Sequence, residues 1–298
     1  VAGDAYRDLL VDFITGRDSY DDNYNGNTTE NREWLLGDIR HSKPAVVNYR
    51  PFTLANEANC SENKSMIFVG TNDGMLHAFF DCNGHEAWAF IPDKVLPNLK
   101  ELAARPALIN YYVDASPILM RYDANKDGTI DPASDKLVLI VGLRRGGNAY
   151  YALDVTSPLA PKLLWRFDSA TTGFSQLGES WSDPHFAKIK VGTATKVVAF
   201  IGAGYDINED GRFGATGSFP AATSQMQGNG NVTSSGSTAA SSRPNPVGRG
   251  IYAIEVANLS SGGVPTMSSS PTILWSYTAS NNSAMQYSFP GDPSLVDS

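Results

Sequence analysis

The chain has 298 residues, 42% hydrophobic and 18% charged, enough for one large domain or two modest ones. A net charge of -8 and a pI of about 5.0 exclude the basic face of a nucleic-acid binder and suit a protein that attracts divalent cations. No apolar run approaches the ~18 residues of a membrane span, and the N-terminus VAGDAYRDLL has no charged-then-apolar leader.

The first element is a helix over AYRDLLVDFITGRD. Leu9, Leu10, Phe13 and Ile14 share one helical face, and Gly16 supplies a stop. The polar run DSYDDNYNGNTTENRE then reads as loop, with Asp21 and Asp22 solvated, so residues 1–35 form a lead-in helix and linker. Cys60 and Cys82 flank MIFVG-TNDG-MLHAFF, which predicts a hairpin turning near Asn72, Asp73 and Gly74. Residues on either side of a hairpin come close, so a Cys60–Cys82 disulfide is available to a secreted protein; two unrelated buried thiols are the plain alternative.

From residue 36 the chain repeats itself. A proline opens a strand in HSKPAVV, DASPILM, SDPHFAKI and GDPSLVD, at Pro44, Pro117, Pro184 and Pro293. A β-run then ends in glycine at Gly70, Gly142 and Gly202. A short strand follows (LHAFFD, YYALDV, IYAIEV), then an aromatic pair: Trp88/Phe90, Trp165/Phe167, Trp275/Tyr277. Four strands per unit in fixed order predict an all-β, partial β-propeller of about three and a half blades over 36–298. A Gly/Ser/Thr/Asn-rich insertion at about 207–248 lengthens the third unit. Ring closure needs more blades, from the rest of a longer chain or from a second chain.

With these residues in view, the chain resembles the PilY family of type IV pilus tip and biogenesis proteins. The stretches that carry the resemblance are LLVDFITGRD, LLGDIRHSKPAVV, FVGTNDGMLHAF, YYVDASPIL, VLIVGLRRGGNAYYALDVTSP and LLWRFD. It implies the C-terminal propeller of a secreted protein at the pilus tip, coupled to pilus assembly, retraction control and surface attachment. Its implied partners are minor pilin subunits and a host or abiotic surface. The family also carries a calcium loop soon after a segment like GDPSLVD, of which this chain holds at most a first ligand, Asp297. Quinoprotein dehydrogenase propellers share the YALD and LW repeats and are the alternative; they would require a quinone and a catalytic Asp that the sequence does not nominate.

The cofactor expected from the residues themselves is Ca2+. In YDANKDGTID, oxygen ligands fall at loop positions 1, 3, 5 and 9 (Asp123, Asn125, Asp127, Asp131), with the Thr129 carbonyl at position 7 and Gly128 making the turn. Ser134 stands where an EF-hand has its bidentate Glu, so Asp131 is the expected closure; an unmetallated Asp/Asn/Gly turn is the plain alternative. A weaker copy is Asp206, Asn208 and Asp210. Nothing points to catalysis. His77 occupies the slot of Tyr151 and Tyr252 and is expected to pack, the three repeated tryptophans to fill the core, and Arg144-Arg145 to sit on a solvated hairpin tip.

Overall fold

The structure is a computed structural model that describes residues 2–51, 65–104, 110–206, 246–259 and 264–296. Helix α1 (Ala2–Ile14) ends as expected at Gly16, whose φ of 108° lets the Arg17 N–H reach back to the Asp12 carbonyl at 2.8 Å. Only Phe13 of its apolar face is fully buried, under the Arg32 guanidinium at 4.0 Å; Leu9 is exposed.

The repeat unit is one antiparallel sheet. Strands β1 (Ala45–Asn48), β2 (Ser65–Gly70), β3 (Leu76–Phe80) and β4 (Glu86–Phe90) form the first. A short helix, α2 (Lys100–Ala104), precedes β5 (Ile118–Tyr122), β6 (Lys136–Gly142), β7 (Ala149–Asp154) and β8 (Lys162–Asp168) of the second. The third holds β9 (His185–Val191), β10 (Ala194–Gly202), β11 (Gly250–Leu259) and β12 (Pro265–Thr278). Strand order in each follows chain order, as hairpin connections require.

Two cores lie between the three sheets. Strand β6 shows the pleat at work: Leu137, Leu139 and Val141 enter the core shared with the first sheet, while Val138 and Ile140 enter the core shared with the third. Both faces are covered, so KLVLIVG reads as a continuous apolar run rather than an alternating one. Trp88 and Trp165 pack into these cores as expected. Trp275 does not: it is 52% exposed, because no sheet packs on that face of β12 among the described residues.

The proline and glycine markers are two halves of one joint. A Cβ placed on Gly70 would meet the Val113 carbonyl at 2.3 Å, on Gly142 the Ser180 carbonyl at 2.6 Å, and on Gly202 the Phe289 carbonyl at 2.3 Å. Val113, Ser180 and Phe289 each stand four residues before a repeat proline, Pro117, Pro184 and Pro293. Each unit's second strand therefore ends where the next unit's lead-in crosses it, and only glycine leaves room. Each unit's own lead-in reaches the same strand end: Ser42 Oγ accepts the Gly70 N–H and Ser182 Oγ accepts the Gly202 N–H, both at 2.9 Å.

Candidate functional site

The expected calcium loop joins β5 to β6 and is framed by its own side chains. Asp123 accepts the N–H groups of Lys126 (2.7 Å) and Gly128 (3.0 Å). Asn125 Oδ1 accepts the Asp127 N–H (3.2 Å), and Asp127 Oδ1 accepts that of Thr129 (2.7 Å). Lys126 and Gly128 take positive φ, 59° and 82°. Ile130 plugs the loop into the core, its N–H donating to the Tyr49 carbonyl of the first sheet at 2.8 Å.

The donor set has the chemistry for calcium. A carboxylate oxygen that accepts one backbone N–H keeps a second lone pair for a cation. Asp123, Asn125, Asp127, the Thr129 carbonyl and Asp131 would hold it. Two features weigh on the site. The Arg121 guanidinium donates to the Gly128 carbonyl (2.7 Å) and stands 3.4 Å from Asp123 Oδ2, so its charge opposes a cation. No three Asp, Glu, His or Cys side chains converge on one point among the described residues, so the loop alone does not gather its carboxylates.

The hydrogen-bond frame of the loop is completed by Asp135, one residue beyond the EF-hand closing position. Asp135 is 1% exposed; its Oδ1 accepts the Ala124 N–H (2.9 Å) and the Ser134 hydroxyl (3.1 Å), and its Oδ2 accepts the Asp131 N–H (2.8 Å). Burial alone would raise its pKa, but these bonds and Arg121 hold it below the usual carboxylate value. Asp131 is exposed and caps the Ala133 N–H at 2.9 Å.

Asp206 is fully buried and accepts the Val247 N–H at 3.2 Å, tying the two ends of the insertion together; Asn208 and Asp210 lie outside the described residues. Cys82 is disulfide-bonded, and Cys60 also lies outside them, as does Asp297. The polar run before residue 31 was expected to be solvated loop, yet it has a frame like that of 123–129. Tyr24 and Gly26 take φ of 57° and 80°, and Asp21, Asn23 and Asn25 cap the N–H groups of Gly26, Asn25 and Asn27. Its interior is filled by the Glu30 carboxylate, which accepts the side-chain amides of Asn23, Asn25 and Asn27. The signal in the sequence was the D-x-N-x-N-G spacing.

His77 is buried as expected, but both ring nitrogens are engaged, with Asp73 Oδ2 and Glu86 Oε2 at 3.0 Å each. Burial alone would lower its pKa; the two carboxylates raise it overall. Asp73 also accepts the Gly37 N–H at 2.8 Å, and the Asn72 N–H donates to the Asp38 carbonyl at 3.0 Å. The stretches LGDIRHSKP and VGTNDGMLHAF are thus bonded to one another. The Arg144-Arg145 turn is not a solvated tip. Gly146 is buried, and both guanidinium groups lie over Trp181, at 4.5 and 5.2 Å.

A sequence profile of the PilY1 beta-propeller domain matches residues 36–219. The chain belongs to the PilY1 beta-propeller family. It is similar to a type IV pilus biogenesis factor PilY1 of Pseudomonas aeruginosa, 36% identical over 216 residues, which are 67% of this chain and 17% of that protein. A PilY1 homolog of Xylella fastidiosa is 34% identical over 61% of this chain and 15% of its own length. The crystal structure of the Pseudomonas aeruginosa PilY1 C-terminal domain aligns with 31% identity and a TM-score of 0.36, covering 54% of this chain and 32% of that one. The chain thus spans about a sixth of the length of these curated relatives. No helix among the described residues is long and apolar enough to cross a membrane.

Proposed function

We propose that the chain is a calcium-ordered, non-enzymatic propeller segment of an exported pilus-tip protein that acts in pilus assembly, retraction control and surface adhesion. Membership of the PilY1 propeller family carries this reading, since the relatives are named as type IV pilus biogenesis factors. The disulfide at Cys82 supports export to an oxidising compartment. The mechanism is presentation. Sheets joined through Gly70, Gly142 and Gly202 make a stiff body, and the loops at its edge meet minor pilins on one side and a host or abiotic surface on the other. Calcium in the 123–131 loop stabilises the folded state only, so stability rises with free calcium.

Two experiments test this. Thermal melting of the chain across a calcium titration should show a rising midpoint, and Asp127→Ala should abolish the rise. An unchanged midpoint in the parent chain removes calcium from the reading. Deleting residues 36–219 from the encoding gene should reduce surface pili and attachment, with pili returning when retraction is also disabled. Full piliation and attachment after the deletion would refute the pilus role.

A further inference from the structure

The residues just before the four repeat prolines are Lys43, Ser116, Asp183 and Asp292, and all four line one cavity of about 240 Å³. The backbone at these positions follows one repeat, so a purely structural role would call for one residue type. Instead the charge varies around the ring. Lys43 and nearby Arg144 make the end from the first two units positive, while Asp183 and Asp292 make the end from the third and fourth negative.

These groups are held at a cost to the fold. Arg144 takes a φ of 52°, uncommon for a side chain with a Cβ; the same place in the third unit, two residues after the strand-ending glycine, is Gly204 at 95°. Both donate their N–H to the crossing lead-in, to Ser180 and Phe289. A glycine would therefore serve the backbone better, yet an arginine stands there. Its Nε is buried with no acceptor among the described residues, while its guanidinium lies over Trp181 and its charge acts on Asp183 and Asp114 without a direct contact to either. Asp183 is half-buried next to a second carboxylate, Asp292, whose Oδ1 accepts the Asp183 N–H at 2.7 Å. Burial first, and then Asp292, push the Asp183 pKa up to about 6 against the opposing charges of Lys43, Arg144 and His185. A buried donor without an acceptor, like-charge contact and backbone strain gathered at one cavity mark a binding site rather than a joint.

We propose that this cavity binds a small zwitterion of the α-amino acid class, its carboxylate held by Arg144 and Lys43 and its ammonium group by Asp183 and Asp292. A simple anion would meet two carboxylates, and a simple cation would meet Arg144 and Lys43; only a ligand with both charges satisfies both ends. This site is independent of the calcium loop and of the pilus role.

Isothermal titration of the chain with glycine, L-alanine and L-serine, and separately with acetate and methylammonium, tests it. Saturable binding of the amino acids but not of the single-charge probes is expected. Asp183→Asn and Arg144→Gly should each weaken binding by about tenfold or more, the scale of one lost charge-assisted hydrogen bond. Arg144→Gly relieves the positive φ but gives up the Trp181 contact, so its melting temperature should stay close to that of the parent, which separates lost binding from lost fold. No saturable heat with any amino acid, equal binding of acetate or methylammonium, or parent-like affinity in Arg144→Gly would overturn the proposal.

Discussion

The joint between sheets makes a sharp prediction at Gly142. In Gly142→Ala the new Cβ would stand 2.6 Å from the Ser180 carbonyl oxygen and 3.1 Å from its Cβ and Oγ. An unstrained carbon–oxygen contact is about 3.3 Å, so the lead-in must retreat by roughly 0.7 Å. Ser180 has no exposure and little freedom. Its N–H donates to the Gly147 carbonyl (3.0 Å), its carbonyl accepts the Arg144 N–H (3.2 Å), and its Oγ accepts the Leu143 N–H (2.7 Å). Overpacking of this kind costs about 1–3 kcal/mol, and a weakened buried hydrogen bond adds about 1 kcal/mol. Alanine returns roughly 0.5 kcal/mol by restricting the unfolded chain. The net loss is about 1.5–3.5 kcal/mol, a fall in melting temperature of roughly 2–6 °C for a chain of this size. Urea unfolding followed by circular dichroism reads it, with Gly3→Ala, whose Cβ meets nothing within 4 Å, as the control expected within about 1 kcal/mol of the parent. An unfolding midpoint for Gly142→Ala at or above that of the parent would refute the close-crossing account.

Other changes follow from the same reasoning. Asp135→Ala should lose about 1–3 kcal/mol without calcium present, because three donors of the 123–135 loop lose their acceptor; an unchanged urea midpoint would return closure to Asp131. Tyr49→Phe removes the bond from the Tyr49 hydroxyl to the Val155 carbonyl between the first two sheets (2.5 Å) and should cost about 1–2 kcal/mol by the same assay. Glu179 is 3% exposed, and burial pushes its pKa from 4.5 to about 8. The folded chain keeps this proton where the unfolded chain has lost it. The contribution to stability is therefore full below the unfolded value of 4.5 and disappears as pH rises through about 8. The slope is up to about 1.4 kcal/mol per pH unit, and Glu179→Gln should flatten it in denaturation curves taken across that window.

Most of the fold was legible because the repeat writes local rules. Strand order within each unit, the hairpin at Asn72-Asp73-Gly74 and the stop at Gly16 all follow from residues close in sequence, where period-2 alternation and turn chemistry act. The frame of the 123–131 loop was legible for the same reason: Asp123, Asn125 and Asp127 cap neighbours two to five residues away. What escaped the sequence depends on contacts between distant segments or on one extra residue. Asp135 stands one place beyond the EF-hand closing position. The Arg144-Arg145 turn looked solvated because Trp181, which the guanidinium groups cover, belongs to the next unit. Trp275 carries the same marker as Trp165, yet one is exposed and the other buried, since burial depends on the neighbouring sheet and not on the strand's own pattern.

By itself, then, the sequence determined the unit: four antiparallel strands, opened by a proline and punctuated by a glycine, three times over. Only the tertiary structure decided how units engage. Gly70, Gly142 and Gly202 read as strand ends, but their reason is the backbone of the next unit's lead-in, far along the chain, crossing at 2.3 to 2.6 Å from where a Cβ would be. The same crossings bring Lys43, Ser116, Asp183 and Asp292, four residues far apart in the chain, to the wall of one cavity. Hydrophobic periodicity encodes a strand's faces, whereas the meeting of polar groups from successive units is encoded only in the packing that stacks one sheet on the next.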